Sequence, residues 1–428
     1  MRNRRSFLTA VGAAAATPLL TPLQAYTQEL SGRRSVGTSR VPKLKVTQVR
    51  AVELQGTGHN FAQYVRVYTD QGLTGTGEMS GATGAAWIIN ERLGPALVGR
   101  DPLDIEAIYS HFWGWGEIPG SIRGVFVRGM GGPFLSAMSA IDMALWDLAG
   151  KAMGVPLYRL FGGKVRERIP VYFWWRNDDD VRRMIREKKA RAFKMGIDKV
   201  TEDGDPAHRL DPGKQSYWTL TNRELDTIVE KVEAARKVVG PDVELALECH
   251  ARYNTESAIQ IGRAVATVRP LWLEEPVTSD NVEALALVHR SIPIPLAAGE
   301  NMYTRYGFRE AIEKQAVSVL QPDMCKCGGL LESRKIASMA EIYHIPIAPH
   351  GTSSPLGQMA YAHVCATIPN FLILEWGFLF AGTELNALMR NLPQYDDGFV
   401  QLPDSPGIGI ELNDDAIREK LRPGSTWS

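Results

Sequence analysis

Two hydrophobic periodicities follow one another along the chain. Apolar and polar residues alternate over residues 44–49 and 64–68, as in half-buried strands, and the turn sequence Thr69–Gly72 follows the second run. A helical periodicity comes next, and its clearest segment is Ser136–Met153, which a glycine ends. We therefore predict a small α+β domain over residues 44–166.

From residue 167 onward, short apolar runs alternate with amphipathic helical segments. The eight candidate strands are residues 169–175, 197–200, 243–247, 271–273, 294–298, 318–321, 345–348 and 371–374. A helical segment follows each strand except the last. This alternation predicts an α/β fold, a modified TIM barrel of (β/α)7β type over residues 167–385. The alternative is an open doubly wound sheet, but the chain has no glycine-rich dinucleotide-binding sequence to support it. Residues 386–428 return to turns and strand-like pieces, which we expect to pack back on the first domain.

The amino terminus has the features of an export signal. Arg4 and Arg5 precede a mildly apolar stretch from Leu8 to Leu20, and Ala25 could be the residue before a cleavage site. This order resembles a Tat signal, whose pathway exports folded proteins, so we expect residues 1–25 to be a signal peptide that directs the protein to the periplasm. Residues 26–43 are polar and are interpreted as a linker. The alternative is a disordered start that happens to contain two arginines.

Composition narrows the classes of function. The chain has 428 residues, 48 Lys and Arg against 48 Asp and Glu, and 44% hydrophobic residues. The apolar content is sufficient for a large core, which argues against disorder. The balanced charge argues against nucleic-acid binding, and no apolar run reaches the length that spans a bilayer. Four cysteines in so long a chain do not indicate a disulfide scaffold.

Six polar residues stand at the ends of successive predicted strands, 23–27 residues apart. They are Glu248, Glu274, Glu300, Asp323, His350 and Glu375. Barrel enzymes use the carboxyl ends of their strands, so we expect all six at one mouth of the barrel. Carboxylates crowded in this way need a cation to remain ionised, and an all-oxygen site suits a hard ion, most often Mg²⁺. Any one of them could instead cap a helix, but six in register favour a site.

These motifs, together with Ser139–Asp147, Gly154-Val155-Pro156 and Leu160–Gly163, identify a family resemblance. The chain resembles the enolase superfamily, and within it the mandelate racemase-like subgroup, from about residue 44 onward. The resemblance implies that the first domain is a capping domain and that Glu248, Glu274 and Glu300 bind Mg²⁺. It also implies a His350–Asp323 dyad as general base and Glu375 as a donor to the substrate carboxylate.

The chemistry of the residues agrees with that implication. Removing the proton α to a carboxylate produces an enediolate, which a divalent cation stabilises. Histidine is a suitable base, and an aspartate behind it fixes its tautomer.

Two departures from the family pattern refine the expected reaction. A Lys-x-Lys motif ends the second barrel strand of racemases and cycloisomerases in this superfamily, and the sequence aligns Thr201 and Asp203 with those lysines. Without two opposed bases, racemisation is disfavoured. In the third strand, Glu248 and His250 resemble the Asp-x-His pattern of galactonate and mannonate dehydratases, in which the histidine protonates the departing 3-hydroxyl. Their spacing predicts that both side chains project from one face of the strand; the alternative for His250 is a purely structural histidine.

The leading hypothesis is therefore a Mg²⁺-dependent dehydratase that converts an acid sugar into a 2-keto-3-deoxy acid. An isomerase or cycloisomerase acting through the same enediolate is the second hypothesis, and a non-catalytic periplasmic sugar-acid binder is the third. His59, Arg123 and the long loop over residues 202–221 are candidates to cover the site, whereas Arg305 is expected to pair with a neighbouring acid. We expect a homo-oligomer.

Overall fold

The computed structural model describes residues 42–55, 62–80, 83–115, 131–198, 218–377 and 383–427. Residues Lys43–Ser428 form one compact unit. Among the helices in these ranges, none is both long enough and apolar enough to cross a membrane.

The first part of the chain is an antiparallel sheet packed on one long helix. Its strands are β1 (Val46–Glu53), β2 (Gln63–Thr69) and β3 (Thr74–Met79), in that order. The helix Pro133–Met153 contains the predicted Ser136–Met153 segment and ends at Gly154, which has a left-handed φ of 68°. Strand β3 approaches this helix closely, because a Cβ atom on its Gly77 would lie 2.0 Å from the carbonyl oxygen of Ala140.

Further helices precede the barrel strands and alternate with them along the chain. The α-helices before the barrel are Ala85–Ile88, Gly94–Leu97, Ile105–Ser110 and Leu157–Leu160, with π-helical turns at Ile89–Leu93 and His111–Trp115. Those that follow are Asp178–Lys188, Asn222–Val239, Thr255–Ala264, Val282–Ser291, Thr304–Glu313, Leu330–Ile342, Pro355–Cys365, Thr383–Ala387 and Asp414–Glu419, with a 3₁₀ turn at Ala266–Val268.

A parallel barrel forms the second part. Its strands are β4 (Arg168–Trp174), β5 (Ala192–Gly196), β6 (Glu244–Glu248), β7 (Leu273–Glu274), β8 (Leu296–Ala298), β9 (Val319–Leu320) and β10 (Leu374–Glu375). Strands β4 to β9 pair in sequence order, and β10 pairs with β4. Between β9 and β10 the seventh position is held by single bridges from Ile347 to Leu320 and Phe371. The barrel of an enolase-type fold with its capping domain is thus confirmed.

The second barrel strand lies earlier in the sequence than predicted. Residues 197–200 were expected to form it, but the strand is Ala192–Gly196, and Ile197 and Asp198 already follow its end. The local reason is that the segment 192–196 contains a lysine, which makes it a poor match to an apolar run. The consequence is that Lys194, rather than a residue after position 198, faces the barrel interior on this strand.

Side chains fill the barrel in two layers, because alternate residues of each strand point inward. The lower layer is the apolar cluster Tyr172, Ala192, Ala246, Trp272, Ala297, Val319 and Ala348. Two residues further along the strands come Lys194, Glu248 and Glu274, which form part of a polar upper layer. The period-two pattern therefore brings charged residues to the carboxyl ends of the strands.

The C-terminal segment contacts both parts of the chain. Strand β12 (Phe399–Gln401) pairs antiparallel with β4 and with β11 (Tyr395–Asp396). Leu421 bridges Leu54 next to β1, and Asp414 forms a 2.7 Å ion pair with Arg66 of β2.

Candidate active site

Three glutamates from adjacent strand ends form a compact cluster. Glu248 ends β6, Glu274 ends β7 and Glu300 follows β8. One carboxylate oxygen from each lies within 4.8 Å of the others, and the first two side chains are fully buried. Buried oxygen ligands from three separate strands suit a hard divalent cation such as Mg²⁺, so the residues fit the expected group.

The sequence analysis did not predict the lysine that lies among these acids. Lys194 is 1% exposed, and its Nζ lies 2.6 Å from Glu274, 3.0 Å from Glu375 and 3.1 Å from Glu248. It occupies the inward position expected for the first lysine of a Lys-x-Lys motif, and Gly196 occupies the second. The assignment of those positions to Thr201 and Asp203 was therefore wrong, although the second strand still offers no pair of lysines.

The ion contacts set the protonation of the cluster. Burial raises the pKa of Glu248 well above its usual value, and the neighbouring Glu274 carboxylate adds to the effect. For Glu274 itself, burial acts in the same direction, but the charge of Lys194 and the hydrogen bonds that the carboxylate accepts together outweigh burial and lower the pKa. Burial opposes the charge of Lys194 as well, yet Glu274 and Glu375 hold its pKa well above the usual value.

Trp272 and Asn301 orient the carboxylates from outside the cluster. Trp272 Nε1 donates a 2.8 Å hydrogen bond to Glu274, whose other oxygen accepts from the ammonium. Asn301 donates to Glu300 over 3.1 Å and to Glu275 over 2.7 Å. Burial and the Glu300 charge raise the pKa of Glu275 to about 7.

His350 and Asp323 form the expected pair. His350 Nδ1 lies 2.9 Å from Asp323 Oδ2, and the other aspartate oxygen accepts from the Tyr361 hydroxyl over 2.7 Å and from the Cys325 backbone over 2.9 Å. Asp323 therefore has both oxygens fixed, and the imidazole has its Nδ1 turned away from the cluster. Tyr361 stands on the helix after the seventh strand position, and no spacing rule in the sequence pointed to it.

The other ring nitrogen of His350 faces the acids. Its Nε2 lies 3.0 Å from Glu300 and 3.9 Å from Glu375. Burial alone would lower the pKa of His350, but the charge of Glu300 and the hydrogen bonds with Asp323 and Glu300 together outweigh burial and raise it well above the usual value. In turn, His350 outweighs burial at Glu300 and holds the pKa of that carboxyl well below its usual range.

Glu375 accepts hydrogen bonds from several directions. The Gly351 backbone N–H donates to it over 3.1 Å and the Tyr172 hydroxyl over 3.3 Å, in addition to the Lys194 ammonium. Glu375 thus lies between the glutamate cluster, through Lys194, and the His350–Asp323 pair. It stands at the end of β10, where this strand pairs with β4 and closes the barrel.

The His250 side chain lies against Trp174 and Asp198 rather than among the glutamates. Strand β6 ends at Glu248, and the chain turns at His250 and Ala251, which have positive φ of 47° and 52°. The alternation expected to carry both side chains on one strand face therefore does not continue past Glu248. The ring lies 5.8 Å from that of Trp174, and Nδ1 is 3.2 Å from buried Asp198.

The structure describes some of the other residues that the sequence analysis singled out and not others. Arg305 pairs with Glu332 over 3.2 Å, as expected. All four cysteines are free. His59, Arg123 and residues 199–217, which include most of the expected covering loop, lie outside the described residues, as do residues 1–41 with the predicted signal.

Comparison with protein families identifies both parts of the chain. Residues 45–162 match the mandelate racemase/muconate lactonizing enzyme N-terminal domain, and residues 178–416 match the enolase C-terminal domain-like family. A solved mandelate racemase/muconate lactonizing enzyme-like protein from Rubrobacter xylanophilus superposes with a TM-score of 0.79 at 34% identity, covering 90% of this chain and 99% of that one.

Two curated relatives are acid sugar dehydratases by name. A D-xylonate dehydratase of Haloferax volcanii is 38% identical over 370 residues, which cover 85% of this chain and 86% of the relative. A D-galactonate dehydratase of Variovorax paradoxus is 32% identical over 371 residues, covering 85% and 92%. The strand-end carboxylates, the histidine pair and these matches agree: the chain belongs to the mandelate racemase/muconate lactonizing enzyme family of the enolase superfamily.

Proposed function

We propose that the protein is a Mg²⁺-dependent dehydratase of an acid sugar. It would remove the proton α to the carboxylate of an aldonate and then eliminate water, giving a 2-keto-3-deoxy acid. The observation that carries the proposal is the meeting of the three-glutamate cluster and the His350–Asp323 pair at a 3.0 Å contact between His350 and Glu300. The names of the dehydratase relatives support the same reaction.

Glu248, Glu274 and Glu300 would hold the cation. When bound, a divalent cation there supplies positive charge that stabilises the negative charge developing on the substrate carboxylate. Because Glu300 is the strongest of the charges that raise the pKa of His350, neutralising Glu300 would bring that pKa back down. This change favours the neutral form of His350, which is able to accept a proton.

His350 acts as the general base in this proposal. Asp323 accepts the Nδ1 hydrogen, so the lone pair of the neutral ring lies on Nε2, the nitrogen that faces the mouth. Glu375 borders the same space, 3.9 Å from Nε2, and in its protonated form it can donate a hydrogen bond to the developing oxyanion.

His250 is proposed as the general acid that protonates the departing 3-hydroxyl. Asp198 lies behind its Nδ1, which leaves Nε2 for the leaving group. Its side chain is 43% exposed, so the ring is open to the mouth of the barrel rather than sealed in the core. This accessibility is what a proton donor to substrate needs.

The direct test is an assay for 2-keto acid formation across a library of aldonates that includes D-xylonate and D-galactonate. We expect turnover of at least one acid with Mg²⁺ and none after treatment with EDTA. Glu274→Gln should weaken Mg²⁺ binding and abolish turnover while leaving the circular dichroism spectrum unchanged. If that variant keeps both metal affinity and activity, the ligand assignment fails.

Adding lactones and anhydro acids to the same library separates the other two functions. Conversion of one of them into an isomer, without loss of water, would favour a cycloisomerase. Tight binding of an acid without turnover would favour a binder, although a binder has no use for the His350–Asp323 pair.

We also propose that residues 1–25 direct the protein to the periplasm through the twin-arginine pathway. The support is the order of Arg4, Arg5, the apolar stretch and Ala25 in the sequence. Replacing both arginines by lysine should leave uncleaved protein in the cytoplasm. Normal periplasmic delivery of this variant would contradict the proposal.

A further inference from the structure

Lys194 forms ion pairs with three acids of the cluster. Its Nζ lies within 3.1 Å of Glu274, Glu375 and Glu248, and it donates a hydrogen bond to Glu274. Its side chain is 2% exposed, so water does not compete for these contacts. With three carboxylates around it Lys194 is an ammonium, which has no lone pair and so cannot act as a second base.

Two of the three partners belong to the set that fits a divalent cation. Glu248 and Glu274 each give one oxygen to the ammonium, while the same carboxylates come within 4.8 Å of Glu300. The ammonium and a divalent cation would therefore compensate the same negative charge. A divalent cation held by these carboxylates would repel the ammonium strongly, because little solvent screens charges in a buried site.

We propose that Lys194 is an internal counter-ion of the metal centre. It holds the glutamates together when no divalent cation is bound, and its charge lowers the affinity of the centre for that cation. Lys194 is thus a positioning residue that acts through Glu248 and Glu274. The inference relies on the proposed function only in taking the three glutamates as the metal centre.

The test compares wild-type protein with Lys194→Met, in which an unbranched apolar chain of similar length replaces the lysine. The full-length protein is freed of metal with EDTA, dialysed, and titrated with Mg²⁺ alone by calorimetry. We expect Lys194→Met to bind Mg²⁺ at least tenfold more tightly than wild type. We also expect its metal-free form to melt at a lower temperature, with a larger rise in melting temperature when Mg²⁺ is added.

Lys314→Met is the matched control. Lys314 pairs with Glu283 and Glu310, which are not part of the cluster, and its loss also removes one positive charge. Its Mg²⁺ affinity should equal that of wild type. A lysine with a merely structural role would weaken Mg²⁺ binding when it is removed, so tighter binding is specific to the proposal.

A second background keeps the test decisive if Lys194→Met alone does not fold. In Glu375→Gln protein one carboxylate partner has lost its charge, so removing Lys194 leaves fewer uncompensated acids. Lys194→Met/Glu375→Gln should bind Mg²⁺ at least tenfold more tightly than Glu375→Gln alone. Equal or weaker binding in the foldable pair overturns the proposal. Because no substrate is present, the result is independent of whether the protein dehydrates acid sugars.

Discussion

His350 and His250 each have an aspartate beside Nδ1, yet their surroundings differ. His350 is 10% exposed and has Glu300 and Glu375 around Nε2, whereas the His250 side chain is 43% exposed and lies beside Trp174. A base must act next to the charges that stabilise its product, and an acid must reach a leaving group at the open side. These environments support the proposal that the two rings act at different steps.

An exchange experiment separates the steps. His350→Asn should abolish both dehydration and exchange of the substrate α-proton with D₂O, because the enediolate no longer forms. His250→Asn should lower dehydration by about 10²–10⁴-fold, the usual effect of losing a general acid, while exchange continues. Proton NMR in D₂O follows both reactions. Exchange that is lost only in the His250 variant would make His250 the base.

At the residue scale, the sequence was sufficient for residues that stand at strand ends at a regular spacing. The spacing predicted that these residues meet at one mouth, and the family resemblance implied the cluster of Glu248, Glu274 and Glu300 and the pair of His350 with Asp323, as the structure has them. Lys194 was not predictable in this way, because a lysine in a short segment indicates a solvent-exposed position. It is buried only because carboxylates from three other strands surround it, and local hydropathy contains no information about those partners.

At the scale of elements, the capping domain is joined to the barrel through acceptors on its long helix. The helix Leu330–Ile342 has no capping side chain of its own, since Gly329 is its N-cap. Asp142 of the capping domain takes the place of that capping side chain. It accepts hydrogen bonds from the backbone N–H groups of Leu330 and Leu331 over 2.7 and 3.3 Å. This gives a physical reason for the acid within the Ser139–Asp147 motif, which the sequence alone identified only by resemblance.

Gly329 is the position where this contact can be broken. It has a φ of +100°, and a Cβ atom there would lie 2.4 Å from Asp142 Oδ2. Gly329→Ala should therefore lower the free energy of unfolding by about 2 kcal/mol or more, from strain plus the loss of the cap. Gly240→Ala is the control, because Gly240 has a φ of +75° and a ψ of −174° with open space around it, so only backbone strain of about 1–3 kcal/mol applies. Urea unfolding measures both, and equal losses would show that the Asp142 contact adds nothing.

At the scale of the whole molecule, the C-terminal segment contacts both the capping domain and the barrel, whereas the sequence analysis predicted only that it packs on the capping domain. Asp147 of the capping domain accepts from the Ile408 backbone over 2.9 Å, while His363 of the barrel contacts the Ile408 carbonyl over 3.0 Å. One residue of the segment is thus held from both parts of the chain. Such contacts join residues far apart in sequence, so no local pattern could predict them.

His363 makes this junction sensitive to acid. The ring is completely buried, and burial lowers its pKa from 6.5 to about 4. Because a carbonyl oxygen only accepts, Nε2 carries the hydrogen, and a second proton would have to enter the core on Nδ1. The unfolded chain takes up that proton near pH 6.5, whereas the folded protein resists it until about pH 4. Between these values the unfolded state binds more protons, so stability is lost as the pH falls.

The expected contribution is about 3 kcal/mol between pH 6.5 and pH 4, at 1.36 kcal/mol for each unit of pKa difference. His363→Gln keeps an N–H donor for Ile408 but cannot titrate, so its unfolding free energy should fall less steeply over this range. Urea unfolding of both proteins at half-unit steps from pH 4 to pH 8 measures the two slopes, and the titrating acids of the active site cancel in the difference. Above pH 7 the two curves should run parallel. If they are parallel down to pH 4 as well, His363 does not resist protonation in the folded protein, and the acid sensitivity of the molecule arises elsewhere.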